Sequence, residues 1–209
     1  MKKFLTIFAL FTLLHFYTLT LYADDCTPFK VIPDVSVSVP AWTKSVVQPD
    51  QPMNLLHGNV DATLTEGYSL LTKVEQIDGG YCVVLTGVEA AVGYTSFLIQ
   101  IDRRHAFGSC GYDATLSHEY EHIRSHLTTI DDSKNDIKSA ITRAATSIMP
   151  VFVPAGGDMN DALDTMQTAM QNHPDIVLMK QKIDAEQEIN DHHVDQRDNG
   201  DRIKQCMDQ

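Results

Sequence analysis

The chain has 209 residues, of which 43% are hydrophobic, and it carries a net charge of −12. That length allows one domain with a real core. The acid excess repels phosphate backbones, so no nucleic-acid partner is expected.

Lys2 and Lys3 make a short basic start, Phe4 to Tyr22 is a largely apolar run, and Ala23 is followed by Asp24 and Asp25. That order reads as a secretory signal over residues 1–23 with cleavage after Ala23, leaving 24–209 as a single domain. An uncleaved membrane anchor is the alternative, because the run is long for a signal. Two lysines and no acids leave with the signal, so the mature charge becomes −14. No later segment is apolar enough to span a bilayer. The expected location is the periplasm or the medium. Cys26, Cys82, Cys110 and Cys206 all follow the signal, and an even count there fits two disulfides in an oxidising compartment. Four cysteines allow three pairings, and the sequence does not choose among them.

Residues 27–110 read as β-rich. Val35 to Val39 alternates apolar and polar. Tyr81 to Leu85 and Tyr94 to Ile101 are apolar, with many β-branched and aromatic residues. Asp78-Gly79-Gly80 predicts a turn before the first of these, and the stretch from Gly87 to Gly93 predicts the connection to the second. From Tyr112 the pattern turns helical: Leu116, Ile123, Leu127, Ile130, Ile137 and Ile141 recur at helix-like spacing up to Met149. Pro150, Pro154, Gly156 and Gly157 break the chain. A second helix is expected from Asn160 to Gln171, and a third from Pro174 to Asn190 or beyond. The fold class implied is α+β, a β-rich N-terminal half packed on a helical C-terminal half.

On the first helix, His118-Glu119-Tyr120-Glu121-His122 matches H-E-x-x-H. Residues four apart on a helix lie about 40° apart around the axis and roughly 6 Å apart along it, so both imidazoles can reach one ion. Glu119, beside the first ligand, can take a proton from metal-bound water while staying off the metal. The ion expected is Zn2+, which normally takes a third protein ligand in catalytic sites. His126 lies about 12 Å along the helix from His118. One ion cannot take both, so His126 reads as a solvated histidine or one behind the ligands. Candidates for the third ligand cluster near the C-terminus: Glu186, Glu188, Asp191, His192, His193 and Asp195. Of these His193 is favoured, with Asp195 as the alternative ligand or as a partner orienting an imidazole. His57, His105 and His173 are isolated and read as unrelated to the site.

The stretch Gly108-Ser109-Cys110-Gly111-Tyr112-Asp113-Ala114-Thr115-Leu116-Ser117-His118-Glu119 resembles uncharacterised secreted bacterial proteins grouped as zinc metallopeptidases with H-E-x-x-H. They carry a cysteine just before the motif, an apolar strand before that, and often a final helix with an acidic residue and a terminal cysteine, which looks like Asp195 to Cys206. The resemblance implies a zincin-like class, in which a sheet edge strand above the metal helix holds an extended peptide. By that analogy Tyr94 to Asp102 would be the edge strand. The glutamate-bearing downstream motifs of the best-known zincins are absent. The disulfides expected are Cys26 with Cys82 and Cys110 with Cys206, the second tying the start of the metal helix to the chain's end.

The function expected is a secreted zinc-dependent hydrolase acting on a peptide or protein substrate, with Glu119 as general base. Rival readings are a non-catalytic metal-binding protein and an envelope interaction protein.

Overall fold

The structure is a computed structural model, and it describes residues 26–53, 57–198 and 200–207. The segment read as a signal lies outside these residues. Five strands occur among the described residues: β1 (Asp34–Ser38), β2 (Thr43–Val47), β3 (Gly58–Ile77), β4 (Gly80–Ile101) and β5 (Val151–Pro154). The helices are α1 (Cys110–Ser147), α2 (Met159–Gln171), α3 (Pro174–Asp198) and α4 (Asp201–Met207). The fold is mixed α/β, with its strands mostly in the N-terminal half and its helices in the C-terminal half. No helix among the described residues is long and apolar enough to cross a membrane.

β4 organises the sheet, pairing with each of the other four strands. The expected break between residues 85 and 94 does not exist: β4 runs unbroken through it. Its glycines serve close approach. A Cβ on Gly87 would lie 3.2 Å from the Asp34 carbonyl oxygen, and one on Gly93 would lie 3.0 Å from Val39 and Pro40. Small residues inside a strand mark such contacts as readily as they mark a turn. β3 was not expected as a strand. Its exposed and half-buried residues alternate from Asp61 to Thr72, as a sheet with one wet face requires.

Residues 94–101 are not an edge. Ser96 to Gln100 pairs in parallel with Thr43 to Val47, while β3 joins β4 through the hairpin, where Thr65 Oγ1 and Thr95 Oγ1 lie 2.9 Å apart. β2 and β3 each pair with β4 alone among the described residues, and each reaches α1, through Lys44 and through Gly58. The analogy that made Tyr94 to Asp102 the edge strand is therefore corrected.

Two compact units divide the chain. The first takes in the described chain from Cys26 to Ser36 with Tyr68–Glu89 and Ala140–Ile176. The Cys26–Cys82 disulfide and Val84 form a small core there, packed by Phe29, Ile77 and Phe152. β5 lies antiparallel on Gly80 to Val83. α2 starts at the Asp158 cap, whose side chain accepts from the Asn160 amide at 2.8 Å, and it buries Ala162, Met166 and Met170.

The second unit comprises Val37–Gly67, Ala90–Ser139 and Val177–Gln209. Here the first part of α1 is fastened from several directions. The Cys110–Cys206 disulfide ties its first residue to α4, with Cα atoms 5.3 Å apart. Glu121 accepts from Arg202 at 3.1 Å and faces Arg197 at 3.4 Å. On the β2 side, Lys44 Nζ donates to Tyr120 Oη at 3.1 Å. Both disulfides are those expected, and no described cysteine is free. Two disulfides point to an extracytoplasmic compartment.

Candidate metal centre

His118, Glu119, His122 and His126 lie on consecutive turns of α1, in the part held by these contacts. His118 and His122 turn the same way: their Nε2 atoms lie 3.2 Å apart. Asp195 Oδ1, from α3, stands 3.2 Å from His118 Nε2 and 3.1 Å from His122 Nε2. The three atoms form a nearly equilateral triangle, and the group can hold a metal ion.

His193, the first choice in the sequence, is exposed and is not part of this group. A residue two positions away on a helix lies about 200° around the axis. With Asp195 facing α1, His193 faces elsewhere. Glu186 and Glu188 are also outside the triangle.

Asp191 stands one turn before Asp195 and supports the cluster. Its Oδ1 accepts from His122 Nδ1 at 3.0 Å and from Gln187 Nε2 at 2.9 Å. A proton on His122 Nδ1 leaves Nε2 with its lone pair, aimed at the triangle. Burial favours the neutral form of His122, but the bond to Asp191 and the charges of Asp195 and Glu119 outweigh it and raise its pKa. Asp191 is held below the usual carboxylate range: burial pushes the other way, and the bond from His122, the nearby His126 and the Gln187 amide prevail. His126 is buried with its ring edge-on to Tyr94, centroids 4.7 Å apart, and its Nε2 is 3.6 Å from Asp191 Oδ2. It stands behind the cluster, outside the triangle.

Glu119 is 4% exposed. Burial pushes its pKa up to about 7, with His122 opposing and Asp195 adding to the rise. Its cover is the start of β3. A Cβ on Gly58 would lie 2.4 Å from Glu119 Oε1 and 2.6 Å from Thr115 Cγ2, so only glycine fits over this carboxylate.

Two histidines that the sequence left isolated hold that strand start. The His57 carbonyl accepts from the Asp102 amide at 2.8 Å, and His57 Nδ1 meets His105 Nε2 at 2.9 Å. His105 in turn packs on Gly111 of α1, where a Cβ would lie 2.5 Å from its Nδ1. The Asp102 carboxylate is fully buried and accepts from the amides of Met53 and Arg104, at 2.5 and 2.7 Å, and from the Arg104 side chain. His57 also lines the cleft at the metal group. Nothing in the local sequence around His57 or His105 announces this. The one available signal was the glycine that follows His57.

The cleft has a volume of about 500 Å³ and is lined by His57, Gly58, Glu119, His126 and the three metal-group residues among others. That is within the range of small-molecule and peptide side-chain sites. Tyr112 and Tyr120 do not line it. No family model, curated protein or solved structure matches this chain.

Proposed function

We propose that the chain is a zinc-dependent hydrolase of zincin-like type that cleaves peptide bonds, with His118, His122 and Asp195 as the protein ligands and Glu119 as general base. The triangle of donor atoms carries this reading. Zinc bonds of about 2.0–2.1 Å at tetrahedral angles put two ligand atoms about 3.3 Å apart, close to the 3.1–3.2 Å separations here. Two imidazoles and one carboxylate are also a donor set that catalytic zinc accepts, leaving one position for water or substrate. When bound, the ion would polarise the substrate carbonyl and lower the pKa of water to about 7.

The remaining work falls to the chain. Glu119 takes the proton of the attacking water and passes it to the leaving amine. The glycine backbone over its carboxylate keeps bulk water off it and leaves its side towards the cleft as the path for protons. Asp191 fixes the ring and tautomer of His122.

The test is metal content and peptide hydrolysis measured together. Wild type should hold about one zinc per chain. His118→Ala, His122→Ala and Asp195→Ala should lose it, while His193→Ala keeps it. Glu119→Gln should keep the metal and lose hydrolysis by about 10²–10⁴-fold. Undiminished zinc in the three alanine variants would remove the site. A Glu119→Gln variant as active as wild type would remove the base.

A further inference from the structure

Beside the metal cleft lies a second cavity of about 900 Å³, sharing His126, Asp191 and Asp195 with the first. β3 brings to it Ala62 and Leu64, which by strand alternation share a face with Gly58 and Val60 in the first cleft. One strand face thus runs from the general base into the second cavity. Tyr94 adds an aromatic surface.

α3 lends the cavity a sign. Asp184, Gln187 and Glu188 share one helix face and all line it, while no lysine or arginine does. Lys180, one turn before Asp184, is ion-paired with Glu66.

Carboxylates on a helix would alone mark only a wet surface. Gln187 is different. It is 6% exposed, and its Nε2 donates to Asp191. A carboxylate only accepts, so the amide orientation is fixed, and Oε1 is left buried with no donor among the described residues. A buried acceptor without a donor costs stability unless something supplies one.

We propose that this cavity receives a cationic side chain, lysine or arginine, of the peptide substrate, close in sequence to the scissile bond. The aliphatic stem lies over Ala62 and Leu64, the ammonium or guanidinium pairs with Asp184 and Glu188, and the Gln187 side chain shifts to bring its Oε1, closed to solvent here, within reach of the same donor. Such side chains are built for this pairing of apolar wall and charged end. The inference rests on the peptidase reading and names its substrate class.

Binding tests it without hydrolysis. The zinc-loaded Glu119→Gln protein is titrated with two blocked alanine-based heptapeptides, one with a central lysine and one with norleucine, in 0.15 M salt. The lysine peptide should bind about tenfold tighter or more. Asp184→Asn with Glu188→Gln, both exposed positions, should erase the difference. Asp161→Asn with Asp164→Asn removes the same charge from the other unit and should leave it intact. Equal binding of the two peptides, no binding of either, or an equal loss in the control pair overturns the proposal. A lysine preference in a protein whose wild type cuts no peptide would overturn the peptidase reading instead and leave the cavity standing.

Discussion

The two compact units bury different chemistry. The first buries valine, isoleucine, alanine and methionine around a disulfide. All eight polar or charged residues buried among the described residues, Glu119, Asp102, His105, His126 and Gln187 among them, belong to the second. A buried polar group costs stability unless it is paired, and a packed apolar core carries no such cost. The contrast teaches where to look for function: the second unit holds expensive groups in fixed positions, and the metal triangle, both clefts and the covered carboxylate all fall inside it.

Removing the disulfides should divide the units most sharply. In the chain-entropy model, closure over sequence separations of 56 and 96 residues contributes about 4 and about 5 kcal/mol. Cys26→Ser with Cys82→Ser should lower stability and leave the zinc affinity of the folded protein unchanged. Cys110→Ser with Cys206→Ser should lower both, since the second bridge anchors the segment that bears Asp195. Chemical denaturation alongside competitive zinc titration reads the two effects. Equal zinc affinity in both variants would break the contrast.

A smaller effect comes from the core of the first unit. Met166 is fully buried, and Met166→Ala should cost about 2–5 kcal/mol, with activity per folded molecule unaltered. A fall in specific activity at a temperature where the variant is fully folded would show that the apolar unit matters to the chemistry.

Gly58→Ala sharpens the comparison from the other side. The added methyl runs into the Glu119 carboxylate, and overpacking of this kind costs about 1–3 kcal/mol. Hydrolysis should drop while zinc content stays at the wild-type level, because Glu119 moves and the ligands do not. Unchanged kcat would mean that the strand start does not position the base.

The smallest effect is tied to pH. The Arg104 side chain beside Asp102, helped by two backbone amides, holds its carboxyl well below the usual carboxylate range against the opposing effect of burial. A lowered folded-state pKa adds stability above the unfolded value of about 3.9, and that stability is lost as pH falls through the folded value. Asp102→Asn should therefore melt on the order of a few degrees lower than wild type at pH 7, and the gap should close in acid. A gap that stays constant from pH 7 to pH 2 would assign the loss to packing rather than to charge.

Local geometry was legible in the sequence, and meeting points were not. His118, Glu119 and His122 could be read because one helix places them, and helix geometry follows from spacing alone. The start of α3 could be read from Pro174, and its end at Asp198 lies beyond Asn190. Which face of α3 meets α1 depends on tertiary packing, so spacing could not separate His193 from Asp195. β4 was read as two strands because Gly87 and Gly93 look like turn residues, whereas they admit neighbouring chain. β3 was missed because threonine, glycine and glutamate dilute its alternation. His57 and His105, 48 residues apart in the chain, meet only through the folded sheet.

Two of the three metal donors are present as soon as one helical turn forms, but Asp195 comes 73 residues after His122. Two imidazoles alone make a weak chelate. The third arm reaches them only after a long loop has closed, and its effective concentration is set by whatever holds the loop shut. The bond between the first residue of α1 and α4 is that fastener. On the proposed reading, metal loading would be timed by maturation: thiol oxidation would also be the step that completes the chelate, and a chain kept reduced would be a poor competitor for the ion.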